Sequence, residues 1–186
     1  MATNSQRYGK LDLDQVQRSA AHHGIRFIIP GDDEWPTGLA QLAGVDNGNG
    51  CGGVPAGLWV KGGGHLGALS RHSVAIFGSR AATAYGEHAT AKFSAEISEA
   101  GVLVVSGGAF GIDAAAHRAA LAVAAPTAAV LGCGLDMAYP PSNGKLFDRI
   151  AEQGVLVSEV PPGTHPTRAL LLSRNRLIPA LSQASV

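Results

Sequence analysis

The chain has 186 residues, 46% of them hydrophobic, enough to bury one core with a small appendage. Fourteen Lys and Arg balance fourteen Asp and Glu, which excludes the global positive field of a chromatin-type binder and leaves any anion binding to local features. No apolar run would span a membrane and MATNSQRYGK lacks the apolar core of a secretory signal; Cys51 and Cys133 stand far apart, without zinc or disulfide-scaffold spacing.

The chain therefore reads as soluble and cytoplasmic, with no metal. From the amino terminus, DLDQVQRSAAHHG (12–24) predicts a short helix and FIIP (27–30) a short strand. DDEWPTGLAQL (32–42) predicts a turn entering a helix, with Trp35, Leu39 and Leu42 at helical spacing. VDNGNGCGGVPAG (45–57) is a glycine-rich loop, and LWVKGGGHLGAL (58–69) a strand, a turn and a short helix. Gly62, Gly63 and Gly64 make a flexible joint, so a boundary near Ser70 divides a small amino-terminal extension, 1–70, from a main domain, 71–186.

From residue 73 strand-like and helix-like segments alternate. SVAIF (73–77), VLVVS (102–106), TAAVL (127–131) and VLVSE (155–159) are buried strands. Between them lie helices at EHATAKFSAEISEAG (87–101), DAAAHRAALAVAA (113–125) and GKLFDRIAEQG (144–154), the first with Ala89, Phe93 and Ile97 on one face and Gly101 as its stop. This rhythm predicts an α/β domain of three layers, a mostly parallel sheet with helices on both faces.

Ligands of such sheets bind beyond the carboxyl ends of the strands, so the turns there carry the functional reading. They are Gly78-Ser79-Arg80, then GGAFGID (107–113), GCGLDMAYPP (132–141) and VPPGTHP (160–166). In SGGAFGID, the glycines at 107, 108 and 111 allow positive φ and let backbone N–H groups approach a phosphate. GCGLDM begins like a dinucleotide fingerprint, but Met137 replaces its third glycine and YPP follows where a helix would start, so no cofactor is expected. Asp136 and Tyr139 would shape the rim of the site. Asp113 reads as an N-cap with His117, four residues on, as its local partner.

GSR with Thr83, Tyr85 and Gly86 downstream, SGGAFGID with Ala116 and His117, LGCGLDMAYPPSN, Ser158-Glu159 and RNRLI (174–178) together resemble the DNA-processing protein A family, DprA/Smf. The resemblance covers about residues 70 to 182, and WPTGLAQL with LWVKG is similar to the family's small amino-terminal extension. It implies a Rossmann-like domain that binds and shields single-stranded DNA and helps load RecA during DNA uptake and recombination, as a binding protein rather than an enzyme. It also implies a homodimer.

Within that resemblance Arg80, Arg174 and Arg176 would be exposed cationic clamps, pairing with phosphate through their guanidinium forks and contributing little to folding. Gly78, Ser79, Ser106, Gly107, Gly108, Gly111 and Asn175 would complete the phosphate site, and Glu159 would hold one of the arginines in place. The alternative for each arginine is plain surface charge.

Two departures from the family pattern stand out. Leu170, Leu171 and Leu172 stand where relatives carry an aromatic near the RNR motif, and the chain closes at SQASV, where the family's domain continues with further strands and its dimerisation surface. The second predicts a sheet that stops after its fourth strand in this domain, with marginal stability and a doubtful dimer. Two further readings stay open: a nucleotide-monophosphate-processing enzyme, although the PGGxGTxxE signature of such proteins is missing, and a non-functional fragment.

Overall fold

A computed structural model describes residues 12–45 and 52–186, so Cys51 and part of the glycine-rich loop lie outside the described residues. Helix α1 (Leu13–His22) starts where the Asp12 carboxylate accepts from the N–H groups of Asp14 (3.1 Å) and Gln15 (3.2 Å), and it buries Val16 and Ala20. Strands β1 (Ile25–Ile28) and β2 (Leu58–Lys61) form an antiparallel hairpin in which Ile25 faces Lys61 and Ile28 faces Leu58. The long connection carries a 3-10 helix at Thr37–Leu42. It is tied back by Arg26, which pairs with Glu34 and donates to the carbonyls of Gly62 (2.6 Å) and Gly64 (2.7 Å). Helix α2 (Leu66–Leu69) then leads into the main alternation.

That alternation is β3 (Ser73–Ala75), α3 (Ala84–Glu99), β4 (Leu103–Ser106), α4 (Ile112–Ala122), β5 (Thr127–Leu131), α5 (Gly144–Gln153) and β6 (Val155–Ser158). It continues through α6 (Arg168–Arg174), α7 (Leu177–Ala180) and β7 (Ala184–Ser185). The sheet runs β1-β2-β6-β5-β4-β3-β7, with β3 to β7 parallel and the hairpin antiparallel on β6. The expected α/β class with a mostly parallel sheet is what the chain forms.

Three details differ from the sequence reading. The hairpin of the amino-terminal segment continues the main sheet, Trp59 facing Ser158 and Lys61 facing Leu156, and Leu39, Leu42, Leu58 and Val60 share one core cluster with Val105, Val130 and Leu177. The sheet does not stop at β6, because Ala184 and Ser185 pair with Val74 and Ala75 at the opposite edge. On α3 the inward residues are Ser94 and Ser98; Ala89 and Phe93 are exposed, and Ile97 is half-buried. The cause is the partner: α3 packs on α4, whose inward face is alanine, and such a close approach favours small side chains over a phenyl ring.

Candidate nucleic-acid interface

All the parallel strands β3 to β6 deliver their carboxyl ends to one edge, and the turns found there line a small open crevice over β4 and β5. Arg80 comes from the turn after β3, Gly107 and Phe110 from the loop after β4, Tyr139 from the loop after β5, and Leu171 and Arg174 from α6. Arg80 is exposed, and so are Phe110 (48%) and Tyr139 (42%), which places a cation and two rings on one opening. Phe110 escaped the sequence reading, although a lone aromatic between Ala109 and Gly111 in a glycine loop has no core position to fill.

The glycines of the loop are explained first by the protein's own packing. A methyl group at Gly107 would lie 2.5 Å from Arg174 Nη1 and 2.6 Å from Asp113 Oδ2, and one at Gly108 would lie 2.7 Å from the Phe147 ring. Gly111 adopts φ 70° and is the N-cap residue of α4; its missing side chain makes room for the Ser79 and Arg80 carbonyls, and the Ser79 carbonyl accepts from Ile112 N–H (3.2 Å). Gly78 similarly accommodates the Ile112 side chain, 2.8 Å from a would-be methyl. Ser106 is buried and its hydroxyl donates to the Ile76 carbonyl (2.5 Å), whereas Ser79 is exposed, its hydroxyl accepting from Ala81 N–H (3.2 Å).

Arg174 is the floor of the crevice, and it is not an exposed clamp. Its residue is 6% exposed, and Nη1 donates to the carbonyls of Gly107 and Val130, so one guanidinium nitrogen ties α6 to the ends of β4 and β5. Arg176 lies elsewhere, with its side chain 5% exposed in a bidentate pair with Glu159 at 2.8 and 2.7 Å and its Nε donating to the Gly53 carbonyl at 3.1 Å. Sequence proximity suggested a shared role because both flank Asn175; helical geometry turns the two guanidinium groups to different partners, and Asn175 itself is exposed at the C-cap of α6.

Asp113 is not the N-cap that the sequence suggests. The chain turns two residues earlier, at Gly111, so Asp113 falls inside the first turn and its carboxylate accepts from the Ala109 N–H (3.2 Å). Burial raises its pKa, against the opposing pull of the Ala109 N–H, the Arg174 charge and the Gly78 N–H. His117 partners Thr127 rather than Asp113: Thr127 Oγ1 donates its only proton to the Val104 carbonyl (2.7 Å), so it accepts from His117 Nδ1–H (2.8 Å). Complete burial, with the nearby Arg174 charge, pushes the imidazole down to about 3. Both residues therefore hold the fold beneath the crevice.

Asp136 braces the rim from behind, its two oxygens each accepting from Gly163 N–H at 2.9 Å, while the Gly134 N–H donates to the Thr164 carbonyl at 2.9 Å. Among the described residues no helix is long and apolar enough to cross a membrane, and no group of three or more His, Cys, Asp or Glu could hold a metal ion.

Known proteins share this fold. The family model for DNA recombination-mediator protein A matches residues 26–186. A protein of Mycobacterium tuberculosis that bears the name DNA processing protein DprA is 46% identical over 177 residues, covering 94% of this chain and 44% of that relative. DNA processing protein A from Streptococcus pneumoniae superposes with a TM-score of 0.79 at 31% identity, over 97% of this chain and 59% of that one. DNA processing protein A from Helicobacter pylori, described for its unique single-stranded DNA binding mode, superposes with a TM-score of 0.73 at 29% identity, over 89% of this chain and 69% of that one. The chain spans about half the length of the curated relatives it matches. Its sheet order, its ordered turn motifs and these likenesses make it a member of the DNA-processing protein A (DprA/Smf) family.

Proposed function

We propose that this chain binds single-stranded DNA at the carboxyl edge of its sheet, in the cytoplasm, protecting the strand and assisting RecA loading during DNA uptake and recombination. The observation that carries the reading is the convergence of the exposed Arg80 with the exposed rings of Phe110 and Tyr139 on one crevice. An arginine fork pairs with a phosphate, and an aromatic face accepts any unpaired base, which is the chemistry of sequence-tolerant single-strand binding. A duplex hides its base faces and offers the rings nothing. The single-strand binding of the Helicobacter pylori relative supports the same assignment.

No catalytic step is assigned. Asp113 and His117, the nearest approach to an acid–base pair, are buried and engaged in holding the loop and the sheet. RecA loading and dimerisation rest on the family resemblance alone, and the relatives matched are about twice as long as this chain, so the crevice itself carries only the strand-binding step of the proposal.

The test is anisotropy of a labelled thymidine oligonucleotide, read against salt and against a duplex competitor. Single strands should win, with log K falling by about 0.7 per decade of salt for each phosphate neutralised. Arg80→Ala should weaken binding about tenfold or more while changing stability by less than about 0.5 kcal/mol, since its side chain is exposed and makes no hydrogen bond or ion pair among the described residues. Equal affinity for duplex and single strands, or binding indifferent to salt, would refute the reading.

A further inference from the structure

Helix α6 is held in place from outside the crevice that it lines. It has seven residues, too few to be stable in water alone, and it supplies Leu171 and Arg174 to the crevice. Its first turn is capped by the Thr167 hydroxyl, which accepts from Leu170 N–H (3.2 Å). Its last turn is gripped by Arg176, whose Nη1 donates to the Ser173 carbonyl (3.0 Å) and hydroxyl (3.3 Å), one residue before Arg174. The same guanidinium pairs with Glu159, directly after β6, and its Nε reaches the Gly53 carbonyl in the amino-terminal segment. Three pieces of chain far apart in sequence thus meet on one side chain that does not line the crevice.

The amino-terminal segment is braced in turn. Gly53 N–H donates to the Val45 carbonyl (2.7 Å), which closes the connection at its base. Just past Arg176, α7 presses on the 3-10 helix Thr37–Leu42: a methyl group at Gly38 would overlap the Ala180 carbonyl, and Leu177 and Leu181 share a core cluster with Leu39 and Leu42. A buried ion pair such as Arg176–Glu159 is weak evidence for stability, because desolvation offsets much of its attraction; its best-attested use is to fix one arrangement among several. The arrangement fixed here is that of α6 against the ends of β4 and β5, where Arg174 reaches the Gly107 and Val130 carbonyls.

We propose that Arg176 is a positioning residue for strand binding. Through Glu159 and the Gly53 carbonyl it sets where α6 lies, and through α6 it sets Leu171 and Arg174 at the crevice, so that the amino-terminal segment belongs to the binding unit. This rests on the proposed single-strand binding and adds to it a residue that touches no nucleic acid. Glu159 separates the two roles open to Arg176. If Arg176 met a phosphate, removing the Glu159 carboxylate would free a cation and strengthen binding; if Arg176 positions α6, the same change loosens the helix and weakens binding.

The experiment measures anisotropy of a labelled thymidine oligonucleotide over a salt series, with the 186-residue parent, Glu159→Gln, Arg176→Gln, the double variant and Arg80→Ala. Each is held at a temperature where circular dichroism shows it folded; Glu159→Gln, at a partly exposed position, serves alone if Arg176→Gln does not fold. Both single variants should weaken binding about three- to thirtyfold, the range for residues that act through a network without touching the ligand. The double variant should lose no more than the weaker-binding single one. The slope of log K against log salt should keep the parent's value in all three, whereas Arg80→Ala should make it shallower by about 0.7, one phosphate contact. Parent-like affinity in the folded variants would overturn the proposal, and so would tighter binding by Glu159→Gln or a slope shallower by about 0.7 in Arg176→Gln. If the parent binds no single strand, the strand-binding reading falls and this proposal with it.

Discussion

Replacing Arg174 with alanine should lower the stability of the fold by about 2 to 4 kcal/mol, in addition to any effect on binding. The guanidinium Nη1 donates to the carbonyls of Gly107 and Val130, both buried positions, and the arginine is itself 6% exposed. Truncation strands two carbonyl oxygens away from water, each at a cost of about 1 to 3 kcal/mol, and opens a void at the floor of the crevice. Against this, the protein no longer buries a cation, a desolvation penalty that recovers part of the loss. For a chain of this size 1 kcal/mol moves the melting temperature by about 2 to 4 °C, so the midpoint should drop by roughly 4 to 16 °C. Thermal melts followed by circular dichroism, with urea midpoints as a check, measure it. Arg174→Met, which keeps the apolar stem and removes the charge, should fall between alanine and the unaltered protein. If Arg174→Ala melted within about 1 °C of the parent while losing strand binding, the guanidinium would be reaching for the ligand and not for the two carbonyls, and the bracing role would be wrong.

Two further outcomes follow from the same region. Gly111→Ala should destabilise by more than about 2 kcal/mol, because φ is 70° there and a methyl would run into the Ser79 and Arg80 carbonyls, whereas Gly163→Ala, at φ 84° with open space around it, should cost only about 1 kcal/mol; urea midpoints compare the two, and equal losses would refute the packing argument. His117, held down to about 3 from 6.5, gives stability that is whole above pH 6.5 and is lost as pH falls toward 3, at a limiting rate of about 1.4 kcal/mol per unit. Asp113 acts in the opposite sense, since a carboxyl raised above 3.8 stabilises below that value and loses its contribution as pH rises through the folded pKa. Urea melts between about pH 4 and 7 should therefore weaken toward acid in the parent and flatten in His117→Gln; an unchanged slope would show that His117 is not the group responsible.

What the sequence showed and what it hid divide along the range of the interactions. The four apolar runs between residues 73 and 159 announce strands through their own composition, whereas the helix read from 87 begins at Ala84, where the Thr83 hydroxyl accepts from Gly86 N–H. FIIP and LWVK are equally readable as strands, but nothing within them says that β2 pairs with β6, about a hundred residues further on. β7 has two residues, too few to show any period. The arginines fail for the same reason: the partners of Arg174 are 44 and 67 residues away and those of Arg176 include a carbonyl 123 residues away, so a motif that looks like exposed charge in one dimension is buried in three. Arg80 was legible because its turn placement alone exposes it.

The glycine loop has a cause that its sequence does not show. Three glycines beside a strand end suggest a backbone opened for phosphate, yet the space each leaves is occupied by Arg174 and Asp113, by Phe147, or by the carbonyls of Ser79 and Arg80. The Gly108 carbonyl is further pinned by Asn143 Nδ2 at 3.0 Å. The loop is therefore fixed from beneath before any ligand arrives, and what it offers outward is its rim, where Phe110 stands. Rigidity of this kind spares a ligand the cost of ordering the loop. It also limits the electrostatics, because Arg174 already donates to carbonyls and Arg176 to Glu159, which leaves Arg80 as the exposed cation lining the crevice. A site with one exposed and one buried guanidinium neutralises on the order of one or two phosphates, so the slope of log K against log salt should be about −0.7 to −1.4. A basic groove tracking many phosphates would give a much steeper line, and finding one would mean that the strand is held by surface this crevice does not include.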